Sequence, residues 1–389
     1  MSFRRSVSAL APHVLLGLLL SGAVLTGCDL FGGDDAAAPL PQTTSVFVAN
    51  GGNFADQNGT ITVYDPQRTQ AATPPGLALN AFVHSLALHN GQLYAALNTG
   101  FSSGRVDVFE ADSYAPAAQS DSLGATRYAA FDDNDSTRAY VSTLRGTVHR
   151  FRPSTGALSG APVDVGASAS GLLTTNNKVF VTRPDTSLAL GDTVANNGSS
   201  LVVFDAGQPS SLRTIALGCD GPTSIAQDED GDLVVVCTGR TTFDSNFQPL
   251  GRTNGAIVFV DPDTESVRSR IDLEEQLGTI TGTQVAHYDP TTEHLHAASS
   301  RTGSIFRVDT DANALDGRLS VPQDESLTGI AAVAYDGASQ RLYVARTDVQ
   351  DPFQSNGTVV VLAENADRIL DQFTVGPAPS HIVLRRSPA

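Results

Sequence analysis

The sequence predicts an all-β protein built from seven copies of one unit, and three observations support this fold class. First, one phrase recurs: a turn residue and a glycine, then alternating apolar residues, and often an acidic residue. Second, an apolar hairpin precedes each copy and a weaker strand follows it. Third, no unit shows the apolar period that a helical repeat would need.

The copies of this phrase lie about 42 to 57 residues apart, a spacing typical of a repeat architecture. They are NGTITVYDP (58–66), SGRVDVFEA (103–111), RGTVHRFRP (145–153), GSSLVVFDA (198–206), NGAIVFVDP (254–262), TGSIFRVDT (302–310) and NGTVVVLAE (356–364). Each unit therefore contains four antiparallel strands, which we name a, b, c and d, with the phrase as strand c. Four strands in a unit of this length indicate a blade of a β-propeller.

The two ends of the repeat region predict how the ring closes. The first unit begins at Ser45 in strand b, so its strand a is missing. The segment from Ser380 to Leu384 aligns with strand a of the other units. We expect this C-terminal strand to complete the N-terminal blade, because closure removes two exposed sheet edges. The sequence thus predicts one domain, a seven-bladed propeller over residues 43–389.

The N-terminal residues carry a targeting signal. Arg4 and Arg5 precede a short apolar run, and small residues follow before Cys28. The tetrapeptide Leu-Thr-Gly-Cys ending at Cys28 resembles the lipobox of bacterial lipoproteins, which implies cleavage before Cys28 and its lipidation. The alternative is an ordinary secretory signal with an incidental cysteine. We predict a lipoprotein signal peptide over 1–27, a lipidated cysteine and flexible tether over 28–42, and anchoring at the cell envelope, on the periplasmic face of a membrane or at the cell surface.

Composition excludes several classes of function. The chain has 41 acidic and 24 basic residues and a formal net charge of −17, which disfavours a nucleic-acid partner. Three cysteines exclude a disulfide-dense scaffold. No nucleophile elbow, zinc-protease, dinucleotide-binding or P-loop motif occurs, so no catalytic residue is assigned and no cofactor is expected.

Two segments resemble a known family. VFVANGGNFADQNGTITVYDP and RLYVARTDVQDPFQSNGTVVVLAEN are similar to YVTN-type seven-bladed propellers and to the wider group related to the quinoprotein amine dehydrogenase heavy chain. The resemblance implies the same fold over nearly the whole chain after the signal. Such propellers include enzymes, redox subunits and surface proteins, so the resemblance implies no single function.

The face of the disc formed by the b–c connections is the predicted working face, because long connections on a rigid scaffold form binding surfaces. The longest connections are 183–198 and 238–255. Six arginines lie at or within these connections: Arg145, Arg183, Arg240, Arg252, Arg301 and Arg346. They would attract an anionic ligand, or they would pair with loop carboxylates such as Asp185, Asp244, Asp348 and Asp351.

Strand a lines the axis of a propeller, and its first polar residues are therefore axial candidates. They are His84, Arg127, Ser170, Thr223, Gln284 and His381. Two histidines and an arginine could perform acid–base chemistry on a small anion. Alternatively, these positions hold ordered water in the channel.

Two further groups of residues invite an interpretation. His287, His294 and His296 lie within one predicted hairpin and could bind zinc or copper. His296, however, aligns with core aromatic residues such as Tyr94 and Tyr343, so we predict no metal site. Cys219 and Cys237 lie at the same end of one blade and could form a disulfide in an oxidising envelope, or remain thiols.

These observations leave three hypotheses for function. The first is a monomeric, lipid-anchored propeller that binds a protein partner or a small anionic ligand through its b–c face. The second is a lactonase-like hydrolase or lyase that uses His84, Arg127 and His381 at the axis. The third is a propeller associated with a separate redox subunit.

Overall fold

The structure, a computed structural model, describes residues 41–166, 168–184, 199–246, 248–322 and 329–387. Seven four-stranded antiparallel sheets make up this part of the chain. In chain order the strands are β1 (Thr43–Asn50), β2 (Thr60–Asp65), β3 (Gln70–Ala72), β4 (Phe82–His89), β5 (Gln92–Gly100), β6 (Ser103–Glu110), β7 (Pro116–Gln119), β8 (Thr126–Phe131), β9 (Ala139–Thr143), β10 (Thr147–Phe151), β11 (Val163–Asp164), β12 (Leu172–Thr175), β13 (Lys178–Arg183), β14 (Ser200–Asp205) and β15 (Gln208–Ala216).

The remaining strands are β16 (Pro222–Gln227), β17 (Leu233–Cys237), β18 (Arg240–Phe243), β19 (Pro249–Thr253), β20 (Ala256–Asp261), β21 (Ser266–Asp272), β22 (Ala286–Asp289), β23 (His294–Ser299), β24 (Ser304–Asp309), β25 (Ala314–Ser320), β26 (Gly329–Asp336), β27 (Arg341–Thr347), β28 (Asn356–Ala363), β29 (Ile369–Pro377) and β30 (Pro379–Arg386). A single 3₁₀ turn, Pro75–Leu77, is described between β3 and β4. Within the described ranges, no helix is long and apolar enough to cross a bilayer.

The strand order confirms the seven-bladed propeller and its closure. Blade 1 has the order β3-β2-β1-β30, so the C-terminal strand β30 is strand a of the N-terminal blade. Strands β1 and β30 are antiparallel, with Val46 opposite Leu384 and Val48 opposite Ile382. Blades 2, 3, 4, 6 and 7 each consist of four consecutive strands from β4, β8, β12, β22 and β26, and blade 5 has the order β16-β17-β20-β21.

Burial across each blade explains the sequence pattern. The middle strands b and c pack between neighbouring blades and are largely apolar; all five residues of β17, Leu233–Cys237, are buried. The outer strands d alternate between partly buried and exposed residues, as β21 does. Apolar clusters join adjacent blades, and Val46 and Val48 of blade 1 pack with Tyr343 and Val361 of blade 7. The core is therefore a ring of apolar layers between the blades.

One predicted loop is a regular element. The b–c connection of blade 5, which we expected to be a long loop over 238–255, forms the antiparallel hairpin β18–β19. Arg240 lies opposite Thr253, and Thr241 lies opposite Arg252. Because successive side chains on a strand alternate between faces, Arg240 and Arg252 project from opposite faces of this ribbon.

Candidate functional site

The six arginines of the b–c connections occupy different environments. Arg145, Arg252 and Arg301 are exposed, on blades 3, 5 and 6. Arg183 donates hydrogen bonds to Ser200 Oγ at 3.0 Å and to the carbonyl of Val165 at 3.2 Å. The structure therefore places them on one face, but hydrogen bonds hold Arg183 between blade 4 and the connection that leaves blade 3.

Arg346 and Arg240 complete this set. Arg346 is 3% exposed and donates to the carbonyl of Pro322, so it is part of the framework of blade 7. Arg240 is partly buried at the base of the blade 5 hairpin, and its backbone amide donates a hydrogen bond to Oγ1 of Thr253 at 2.9 Å. Asp185 lies outside the described residues, while Asp244 and Asp348 accept hydrogen bonds from the backbone of their own turns. An anion-focusing arginine ring stays a prediction.

In the described chain, the large exposed apolar residues that do not belong to the outer strands d all lie on this same face. Phe101, Leu250, Val349 and Phe353 lie in b–c connections, and Phe101 is 87% exposed. The other large exposed apolar residues of the described chain are on strand d of four blades: Leu212, Val267, Leu315, Ile369 and Leu370. Within the described ranges, none lies in an a–b or c–d connection. In the described part of the chain, the large exposed apolar side chains thus lie on one face and on the rim.

Aromatic packing links two of these connections. The ring of Phe54, in the b–c connection of blade 1, lies 4.5 Å from the ring of Phe101 in blade 2. It also lies 6.0 Å from the ring of Phe82, at the start of β4. Blades 1 and 2 therefore share a continuous aromatic patch on the b–c face.

Irregular pairing in strand a directs side chains and carbonyls toward the axis. The register between strands a and b shifts at His84, at Arg127–Tyr128, at Thr223, at Ala331 and at Ser380, one β-bulge in each of five blades. A bulge re-aims its side chain and removes its carbonyl from the ladder. The freed carbonyls then accept hydrogen bonds from hydroxyl groups of another blade.

These hydroxyl–carbonyl bonds form a belt around the axis. Ser85 Oγ donates to the carbonyl of Arg127 at 2.5 Å, and Ser170 Oγ donates to the carbonyl of Thr223 at 3.2 Å. Thr281 Oγ1 donates a hydrogen bond to the carbonyl of Ala331 at 3.1 Å. Two of the predicted axial candidates, Ser170 and Thr223, therefore join neighbouring blades.

The other four axial candidates converge with Tyr128, which the sequence reasoning missed. Arg127 Nη1 lies 3.4 Å from both ring nitrogens of His84. The ring of Tyr128 lies 5.6 Å from that of His84 and 6.1 Å from that of His381. The Tyr128 side chain extends from blade 3 toward blade 6, where its hydroxyl donates a hydrogen bond to the carbonyl of Thr283 at 2.5 Å. Tyr128 thus narrows the channel at the level of the histidines.

Gln284 ties this site to the closing strand. Its Nε2 donates to the carbonyl of Ile382 at 3.0 Å, and its Oε1 accepts from the Ile382 amide at 2.7 Å. The side chain therefore extends the backbone ladder between blades 6 and 1, and both polar atoms are already used.

Burial controls the protonation of the axial histidines. It lowers the pKa of His84 well below its usual value, and the nearby Arg127 adds to the effect. Burial lowers the pKa of His381 to about 3 and that of His287, on β22, to about 4. These histidines are neutral at pH 7. His381 Nδ1 is buried and has no hydrogen-bond partner in the described chain.

The three histidines of blade 6, His287, His294 and His296, each contact neighbouring residues of the protein. His287 and His296 are cross-strand partners, and His287 Nδ1 accepts a hydrogen bond from the amide of Tyr335 at 3.2 Å. The ring of His296 is fully buried and stacks on the Tyr335 ring at 4.4 Å. Nε2 of His294 lies 3.3 Å from Oδ2 of Asp316. The described residues contain no group of three or more potential ligands arranged to hold a metal ion.

The two cysteines of blade 5 are bonded. Cys219 and Cys237 form a disulfide with a Cα–Cα distance of 6.1 Å, and both side chains are buried. The bridge joins the d–a connection entering blade 5 to the end of its strand b.

The sheet order and the axial channel define the chain as a seven-bladed β-propeller. No protein-family model matches its sequence, and no curated protein sequence matches it. Among solved structures it is similar to apo AztD from Citrobacter koseri, with 16% identity and a TM-score of 0.52 over 89% of this chain and 99% of that chain.

Two other solved structures are similar at the same level. Kuenenia stuttgartiensis hydrazine synthase shares 13% identity and a TM-score of 0.58 over 78% of this chain and 95% of that one. The Dos1 propeller shares 13% identity and a TM-score of 0.53 over 87% and 94% of the two chains. At these identities the likeness shows the fold alone.

Proposed function

We propose that this protein is a lipid-anchored propeller of the cell envelope that binds a protein partner through the face formed by its b–c connections. The observation that carries the proposal is the position of the exposed apolar side chains. Phe101, Leu250, Val349 and Phe353 all lie on that face. Exposed aromatic residues mixed with arginines are typical of the centre of a protein interface.

The direction in which the chain enters the domain supports the same face. β1 starts at Thr43 and runs toward Asn50, where the b–c connection of blade 1 begins. A tether over 29–42 would therefore join the propeller on the face opposite to Phe101. Fully extended, such a tether reaches about 50 Å at most. Anchoring through Cys28 would leave the b–c face free to meet a partner.

Site-specific photo-crosslinking tests the choice of face. A benzoylphenylalanine at Phe101 should give one discrete adduct in intact cells, and the same probe at Leu315, on the outer rim, should not. The double variant Phe101→Ser/Phe353→Ser should lose the adduct formed from a probe at Val349, while Leu212→Ser/Ile369→Ser retains it. Equal labelling from the b–c face and the rim would contradict the proposal.

A separate experiment tests the anchor. Cys28→Ser should move the protein from the membrane pellet to the soluble envelope fraction and should abolish incorporation of labelled palmitate. Cys219→Ser/Cys237→Ser is the matched control and should leave the protein in the membrane fraction. Retention of the Cys28→Ser protein in the pellet would exclude lipidation at this residue as the anchor.

A further inference from the structure

A second feature, independent of the b–c face, lies inside the channel. Arg127, Tyr128, His287 and His381 are deeply enclosed by the blades yet keep part of their accessible surface. Residues that are enclosed but still reach solvent line an internal channel. The channel therefore admits solvent beside Tyr128.

The guanidinium of Arg127 has an unfilled hydrogen-bonding edge in this channel. Its hydrogen-bond contacts within the described ranges are the two from Nη1 to the ring of His84. No carboxylate of the described chain lies within ion-pair distance of Arg127, and no described residue accepts a hydrogen bond from its Nε or Nη2. Buried charges in proteins are normally paired, because an isolated enclosed ion is costly.

Other arginines of the same protein show what this edge binds. Arg105 donates from Nε and Nη2 to the two carboxylate oxygens of Asp107, at 2.8 and 3.1 Å. Arg213 holds Glu265 with the same two atoms at 2.7 and 2.8 Å. Two parallel N–H groups match the two oxygens of a carboxylate. Arg127 presents the same edge without the carboxylate.

The surroundings favour a single negative charge at this place. The histidines around Arg127 are neutral, so they leave its positive charge uncompensated. On the side of His287, Arg386 already lies between Asp289 and Asp336. The guanidinium of Arg386 is therefore already engaged by two buried carboxylates, whereas that of Arg127 is not.

We propose that the axial channel binds a small monocarboxylate, whose two oxygens accept hydrogen bonds from Nε and Nη2 of Arg127. The ring of His381 lies 6.1 Å from that of Tyr128 and forms part of the surrounding wall. The crossing side chain of Tyr128 limits the size of the ligand. The positive charge of Arg127 favours a carboxylate over a neutral amide of the same shape.

Calorimetric titration with acetate tests the proposal. For a ligand of four heavy atoms, we expect a dissociation constant on the order of 1 mM. Acetamide, its neutral isostere, should not bind, and chloride at equal ionic strength should not compete. Arg127→Gln should weaken acetate binding by about tenfold or more. Arg105→Gln, at an arginine whose edge is filled, should bind acetate as the unaltered protein does.

Two further variants keep the test decisive. Arg127→Lys retains the charge but lacks the paired donors, so it should also lose about tenfold in affinity even if Arg127→Gln does not fold. His381→Asn should weaken binding less than either. The proposal is overturned if the unaltered protein does not bind acetate at concentrations well above millimolar, if Arg127→Lys binds it with unchanged affinity, or if acetamide binds equally well.

Discussion

Arg386, close to the end of the chain, donates a hydrogen bond to the carboxylate of Asp289, a fully buried residue at the end of β22 in blade 6. The same Nη2 lies 3.6 Å from Oδ1 of Asp336, which is equally buried at the end of β26 in blade 7. One cation from the closing strand therefore serves two buried carboxylates from two other blades.

Replacement of Arg386 by methionine should destabilise the protein by about 3–5 kcal/mol, because both carboxylates lose their cation inside the fold. Arg68→Met is the matched control, since Arg68 is exposed and its contact with Asp65 at 3.6 Å contributes little. Urea unfolding followed by circular dichroism measures both. If the two variants unfold at the same urea concentration, the Arg386 cluster does not hold the ring closed.

Deletion of residues 378–389 should abolish cooperative unfolding. Without β30, strand β1 loses its partner on the axial side, and the blade 1–blade 7 cluster loses Ile382. The expected result is a broad, non-sigmoidal thermal transition with increased binding of a hydrophobic dye. A truncated protein that melts as sharply as the full chain would falsify the closure as a stabilising feature.

Acidification from pH 7 to pH 5 should destabilise the protein through its buried histidines. The folded-state pKa values of His84, His287 and His381 are lowered, so the unfolded chain takes up protons first. Stability is therefore complete above about pH 6.5 and declines as the pH falls, by up to about 2 kcal/mol per histidine at pH 5.

Two carboxyl groups oppose this trend, because burial raises the pKa of Asp228 to about 6 and also raises that of Asp232. The folded state binds these protons first, so their contribution to stability grows as the pH falls. For Asp228 the shift corresponds to about 1 kcal/mol between pH 7 and pH 5. The histidines dominate. Burial lowers the pKa of His296 as well, so four deeply buried histidines contribute to the loss. Urea unfolding at both pH values checks the sign, and His381→Gln should remove about a quarter of the loss; an unchanged slope would show that His381 titrates normally.

His296→Phe should stabilise the protein by about 1–2 kcal/mol. Both ring nitrogens of His296 are buried without a hydrogen-bond partner in the described chain, and phenylalanine removes that desolvation cost while keeping the stack on Tyr335. Thermal unfolding measures the gain. His294→Phe is the control, because His294 contacts Asp316 and is partly exposed. If His296→Phe is less stable than the unaltered protein, and added zinc stabilises only the unaltered protein, His296 binds a metal instead.

Reduction of the Cys219–Cys237 disulfide should lower stability by about 3 kcal/mol, since the bridge closes a loop with a sequence separation of 18 residues. The measurement is urea unfolding with and without reductant, with Cys219→Ala/Cys237→Ala as the control that should no longer respond. A thiol assay on the unfolded, unreduced Cys28→Ser variant should detect no free thiol; two thiols would contradict the bridge.

The repeat pattern was sufficient to predict the blades, their number and the closing strand, because each blade repeats a largely apolar strand b and the glycine-led, alternating phrase of strand c. The hairpin β18–β19 was missed because its residues are exposed or only partly buried and show no alternation. The number of blades follows from burial between blades, and buried strands are visible as apolar segments of the sequence. The β18–β19 ribbon is held by local hydrogen bonds at the surface, which leave no such apolar pattern.

The axial site was predicted in part for a similar reason. Choosing the first polar residue of strand a found Arg127 and His84, but it could not find Tyr128. On a regular strand, adjacent residues point to opposite faces, so Tyr128 would be assigned away from the axis. The bulge in β8 brings both to the channel, and no residue type in that segment signals a bulge.

The placement of β30 also sets the order in which the protein can mature. Blade 1 holds the first and the last strands of the propeller, so a chain still being synthesised has no complete first blade, however many later blades have emerged. Residue 386 must leave the ribosome before Asp289 and Asp336 gain their cation. Until then the growing chain presents a bare sheet edge, and a chaperone would have a reason to stay bound until synthesis ends.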